Sequence, residues 1–133
     1  MKEADLTGKI IGCAMKVHRT LGGGFLESVY QNALAYELQR SGLKAECEVP
    51  IKVLHDGVDV GEFFADVLVE RQVIVENKAV EQLNPAHEVQ LVNYLTATTY
   101  DVGLLFNFGA ASLQYKKKFR VYRKTAVNPE NPE

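Results

Sequence analysis

Apolar residues recur at mixed spacings of three and four through Ile10, Ile11, Ala14, Met15, Val17 and Leu21, the period of an amphipathic helix. Thr7 stands ahead of them, so the helix is expected to start near residues 5–8 and to stop at Gly22-Gly23-Gly24. Phe25, Val29, Ala33, Leu34, Tyr36 and Leu38 resume the helical period until Ser41-Gly42, which predicts a second helix with Glu27 in its first turn. The period then changes to two. Val49, Ile51 and Val53 alternate up to a turn at His55-Asp56-Gly57, a return strand follows through 58–61 and 63–69, and a short turn at Glu70-Arg71-Gln72 leads into a third strand at 73–80. Asn84-Pro85 opens a helix over about 86–97, the apolar run 102–108 predicts a strand covered on both faces, and 113–122 predicts a last, basic strand. The final residues, 126–133, have the composition of a frayed tail. Helix, helix, three strands, helix, strand, strand is an α+β order, and it predicts a central mixed β-sheet flanked by helices on both faces.

With 133 residues the chain is long enough for one domain with a real core and too short for two of ordinary size. Apolar content of 47% and charged content of 24% match a folded globular protein. No run approaches the roughly 18 apolar residues of a membrane span and the N-terminus has no apolar leader, so a cytoplasmic location is expected. Cys13 and Cys47 have neither CxxC spacing nor a nearby His, which excludes an ordinary zinc site and predicts small buried thiols. The net charge of −2 provides no global field for nucleic acid, so any such binding must use a local basic surface. Lys116, Lys117, Lys118 and Arg120 form the densest candidate, although lysines on an edge strand also serve to block strand pairing.

The chemistry lies in the third strand. Glu76 and Lys78 are two apart in the apolar run Val73-Ile74-Val75-Glu76-Asn77-Lys78-Ala79-Val80, and charges so placed need partners, a metal ion or water. If Arg71 centres the turn, paired positions sum to about 142 and Asp66 lies opposite Glu76, with Lys78 on the same face. Two carboxylates that close raise one another's pKa unless a cation sits between them, and oxygen ligands of this kind suit Mg2+ or Mn2+. Such an ion polarises a phosphoryl oxygen and acidifies a bound water, while the Lys78 ammonium offsets charge developing on phosphate. Glu27 would add a third carboxylate. On the following helix His87, Gln90 and Tyr94 share one stripe, and Gln90 can both donate to and accept from a phosphate oxygen or a water.

With these residues in place the chain resembles the PD-(D/E)XK nuclease superfamily, whose restriction-endonuclease-like core runs helix, three strands, helix, strand. Here that core would carry an extra N-terminal helix and an extra C-terminal strand. Gln90-Leu91-Val92-Asn93-Tyr94 is similar to the QxxxY element of the RecB-like branch, and Gly24-Phe25-Leu26-Glu27-Ser28-Val29-Tyr30 resembles the motif that names the GxxExxY protein family. The resemblance implies catalytic positions at Asp66, Glu76, Lys78 and Gln90, accessory positions at Glu27, Tyr30, His87 and Tyr94, and a metal held by Glu27, Asp66 and Glu76. It departs at Asn77, where the family usually has an apolar residue; a buried amide needs partners, which predicts a locally polar or open core. A Mg2+- or Mn2+-dependent nuclease acting on DNA or RNA is the implied function, and a non-catalytic module binding nucleic acid or a protein partner is the alternative. So short a domain leaves little surface for duplex recognition, which a homodimer or a larger complex would supply.

Overall fold

The computed structural model describes residues 1–122; the expected tail at 126–133 lies outside them. Two helices come first, α1 (Glu3–Leu21) and α2 (Glu27–Arg40), followed by strands β1 (Ala45–His55), β2 (Val58–Val69) and β3 (Val73–Lys78), helix α3 (Pro85–Thr96), and strands β4 (Val102–Asn107) and β5 (Gln114–Phe119). The strands form one sheet in the order β1-β2-β3-β4-β5. Its pairs are antiparallel except β3 with β4, which run parallel because α3 carries the chain back across the sheet. No described helix is long and apolar enough to cross a membrane.

Each face of the sheet has its own core. Val67, Val69, Val73, Val75, Leu104 and Phe106 pack under α1 and α2, against Leu6, Ile10, Ala14, Tyr30, Leu34 and Leu38. Leu68, Ile74 and Leu105 point the other way and meet Leu91 and Leu95 of α3. All of β4 is buried, as its unbroken apolar run predicts for a strand covered on both faces. Gly103 lets α3 approach closely, since a Cβ there would lie 2.9 Å from a Leu91 methyl.

Both hairpin turns put their central residues at positive φ: Asp56 and Gly57 in the first, Glu70 and Arg71 in the second. Asp-Gly suits that geometry. Glu70 and Arg71 suit it less, and are held by bonds between Glu70 and the main chain of Lys44 and by an Arg71–Glu46 ion pair at 2.7 Å. The β1–β2 hairpin is longer than the sheet it belongs to. β3 pairs only with residues 67–69 of β2, so residues 58–65 run on as an arm of about 25 Å. Its inner side, with Val49, Ile51, Phe63 and Ala65, lies against α3, where Phe63 stacks on Tyr94 at 3.9 Å between ring centres.

Candidate active site

The register is the one that places the acids together. Val67, Leu68 and Val69 face Val75, Ile74 and Val73, so paired positions sum to 142 as the turn predicts. One step further the ladder stops, because β2 bends away into the arm, and two carboxylates take over the main-chain hydrogen bonds that the fork leaves open. The Asn77 N–H donates to Asp66 Oδ2 at 2.7 Å, and the Asp66 N–H donates a longer bond of 3.4 Å to Glu76 Oε2. The acids thus clasp the strands reciprocally at the point where the strands separate.

The arrangement is electrostatically unfavourable without a cation. Burial pushes the Glu76 carboxyl up to about 8, and the charge of Asp66 adds to the rise against the Asp66 N–H and Lys78. Burial also raises Asp66; the Asn77 N–H opposes it, the charges of Glu48 and Glu27 add to it, and Lys78 again opposes it. Among the described residues no ion pair reaches Asp66, Glu76 or Lys78. Two hard oxygen donors with raised pKa values and no cationic partner fit Mg2+ or Mn2+. A three-carboxylate set is not assembled, however: among the described residues no three His, Cys, Asp or Glu side chains gather closely enough to hold a metal. Glu27, exposed at the start of α2, acts on Asp66 through its charge alone.

Glu48 is the residue that sequence reasoning missed. It lies where the β1–β2 ladder skips a pair, between Cys47↔Val67 and Val49↔Ala65 and across from Asp66. Its φ of 54° is the one positive value at a non-glycine residue inside a strand rather than in a turn, among the described residues. The left-handed residue inverts the strand: Ala45 faces α2, whereas Val49 and Ile51, of the same parity, face α3. The sequence carries no signal of that change of face, since Ala45, Cys47, Val49 and Ile51 alternate without a break. Cys47, next to it, is exposed, which corrects the expectation of a buried thiol; Cys13 is half-buried, and both are free.

Two further residues, Tyr30 and Asn107, act as supports. Tyr30, fully buried, donates its hydroxyl to Gly22 O at 2.6 Å, accepts the Phe25 N–H at 3.2 Å, and stacks on Phe108 with ring centres 4.8 Å apart. It fixes the glycine loop that leads into Glu27, so its place is beneath the site. Asn107 holds the exit of β3, its Oδ1 accepting from Val80 N and Gly109 N and its Nδ2 donating to Gln114. Lys78 is anchored in the same corner, where its carbonyl accepts the Phe108 N–H.

The other expected residues are placed as follows. His87 caps α3, its Nδ1 accepting the Asn84 N–H at 3.2 Å while Asn84 Oδ1 accepts from Ala86. Tyr94 is committed to its stack on Phe63. Gln90 is exposed on α3, the helix packed on the side of the sheet to which Glu76 and Lys78 belong by alternation with Ile74. The basic strip is divided. Lys117 pairs with Glu3 of α1 on one side of the sheet, Lys118 pairs with Glu88 of α3 on the other at 2.7 Å, and the Arg120 guanidinium lies over the Tyr122 ring, leaving Lys116 exposed. The expected open surroundings of Asn77 are also corrected: it is 1% exposed, on the Val73 and Val75 side, and neither amide atom has a partner.

Comparison with curated proteins and with solved structures gives no match. Comparison with family models matches residues 4–120 to the PD-(D/E)XK nuclease superfamily, which spans both helices, the fork and the whole sheet.

Proposed function

Because the chain belongs to the PD-(D/E)XK nuclease superfamily, we propose that it is a metal-dependent nuclease that hydrolyses phosphodiester bonds of DNA or RNA at Asp66, Glu76 and Lys78. Within the superfamily we place it in the GxxExxY family of the RecB-like branch, on Gly24, Glu27 and Tyr30 and on Gln90 and Tyr94. The observation that carries the proposal is the reciprocal clasp of Asp66 and Glu76 at a strand fork, with raised pKa values and with Lys78 on the next position of the same face.

Asp66 and Glu76 would hold one Mg2+ or Mn2+, with water completing the coordination. When bound, that ion supplies charge to polarise a phosphoryl oxygen and acidify an attacking water. The fork does the rest. The Asn77 N–H holds the Asp66 carboxylate and the Asp66 N–H holds that of Glu76, which limits the reorganisation needed when the cation arrives. The Lys78 ammonium orients the nucleophile and offsets the negative charge that grows on the phosphate. Glu27 and Gln90, exposed on opposite sides of the fork, would meet substrate or bound water as it closes over the site.

Chelation tests this reading. EDTA should abolish cleavage, Mn2+ should restore it, and manganese paramagnetic resonance should report one bound ion in the wild type and none in Asp66→Asn. Cleavage that persists in EDTA would overturn it. A second reading, a binding module without catalysis, is favoured by the lack of a third acidic ligand among the described residues, and it predicts nucleic-acid binding that Mn2+ does not turn into cleavage.

A further inference from the structure

Two acids of the fork are each preceded, two residues upstream, by an exposed phenylalanine: Phe25 before Glu27 and Phe64 before Asp66, 47% and 53% exposed. Their surroundings place both on one side of the sheet. Phe25 packs edge-on against Tyr30, under α2, and its own N–H is tied to the Tyr30 hydroxyl. Phe63 and Ala65 face α3, so Phe64 between them faces the opposite side, the one that carries α1 and α2. Leu26, 76% exposed, and Pro50, the cross-strand neighbour of Phe64, extend the apolar surface. Aromatic faces left in water beside a catalytic centre, on a loop and a strand that are each held by hydrogen bonds, serve a ligand with flat apolar surfaces of its own.

Charge argues against a grip on the duplex backbone. A protein that gripped duplex backbone would present free cations around the site. Here the rim carries Glu27, Glu48 and Glu62, Lys52 is the cation of the arm, and in the basic strip Lys117 and Lys118 are committed to Glu3 and Glu88 at the far edge of the sheet, which leaves Lys116 as the exposed lysine of that strip. Attraction must therefore come from stacking more than from phosphate contacts.

We propose that Phe25 and Phe64 form a stacking clamp for unpaired bases on the α1 and α2 side of the fork, the strand passing through the fork to reach Glu76 and Lys78, so that the substrate is single-stranded nucleic acid or an unpaired segment of a branched one. This rests on the nuclease reading above. Stacked bases are available in a single strand and hidden in a duplex, so the clamp selects strand state rather than sequence.

The test uses a single-stranded DNA oligonucleotide carrying 2-aminopurine, and the same oligonucleotide in a duplex, bound with calcium in place of magnesium. Binding of the single strand should quench the 2-aminopurine and be the tighter of the two, with a log–log salt slope shallower than about −2, the value for roughly three phosphate contacts. Phe25→Ala and Phe64→Ala should each weaken single-strand binding by roughly 5- to 100-fold, Phe64→Trp should restore it, and Tyr36→Ala, an exposed aromatic elsewhere on α2, should change nothing. A bound strand with unquenched 2-aminopurine, or unchanged affinity in both alanine variants, would overturn the clamp. So would a concentration-dependent dimer lost in both variants, because the patch would then be a contact between two copies of this chain. Cleavage that stays dependent on Lys78 while the quenching is absent sinks the clamp alone; absence of both sinks the nuclease reading with it.

Discussion

Glu76→Gln is expected to make the metal-free protein more stable while reducing cleavage by at least about 100-fold, the usual effect of removing a group that stabilises transition-state charge. The stability gain follows from the fork. Glu76 has its carboxyl raised from an ordinary value of 4.5 to about 8, so between those pH values the folded chain holds a proton that the unfolded chain has released. Stability from this group is therefore lost as pH rises from about 4.5 to about 8, and the loss is complete above that. The penalty at pH 8 is on the order of 4 kcal/mol, which corresponds to a melting temperature lower by roughly 15 °C in a domain of this size. Glutamine keeps the oxygen that accepts the Asp66 N–H and removes the charge. The difference in melting temperature between Glu76→Gln and wild type should accordingly be small at pH 5, grow to roughly 15 °C at pH 8 in EDTA, and shrink when Mn2+ is added, since only the wild type binds it. A difference that does not change with pH would contradict the assignment of strain to this carboxyl.

Gly109→Ala should be the most damaging small substitution on the structural side. A Cβ at Gly109 would lie 2.4 Å from Val80 O, 2.6 Å from Val80 N and 2.7 Å from the carbonyl carbon of Ala79. All three are main-chain atoms with no free end to swing aside, so the exit of β3 has to move, and with it the Asn107 bonds to Val80 and Gly109. A loss of about 3 kcal/mol is expected, together with reduced activity, because Lys78 sits directly before the displaced segment. Gly103→Ala provides the comparison. Its nearest neighbours are the methyl carbons of Leu91, the far end of a side chain, so it should cost only about 1 kcal/mol. Equal losses in the two variants, measured by urea unfolding, would mean that the 109–80 contact is looser than described.

The elements and their order were legible because they rest on local rules: the glycine stop after Leu21, the Asp56-Gly57 turn, Asn84-Pro85 at the start of α3 and the unbroken apolar run of β4. The register was legible too, since a short turn centred on Arg71 leaves one pairing that keeps Val67 and Val69 on the buried side with Val75 and Val73. What escaped depends on contacts far apart in sequence. Lys117 and Lys118 read as one basic strip, but their partners Glu3 and Glu88 come from helices on opposite faces of the sheet. Glu48 carries no mark in the sequence, because no propensity assigns a glutamate to the left-handed region; the tertiary need to turn the hairpin over onto α3 imposes it. Asn77 read as a sign of an open core, yet it lies on the Val73 and Val75 side of β3, packed under α1 and α2 beside Phe106, where its amide is buried without partners. His87 could have been read better, since a histidine three residues after Asn84 is within reach of the helix start it caps.

The central claim is that Asp66, Glu76 and Lys78 form a hydrolytic site, and single-turnover cleavage by wild type and Lys78→Ala tests it most directly. The panel is end-labelled single-stranded, duplex and flapped DNA and RNA in Mg2+ or Mn2+, with manganese binding measured on both proteins. Lys78 is not a metal ligand in this account, so the variant should still bind Mn2+ while its cleavage falls by about 100- to 1000-fold on whichever strand the wild type cuts. Equal cleavage by the two proteins, or no cleavage by folded, manganese-loaded wild type on any member of the panel, would contradict the claim.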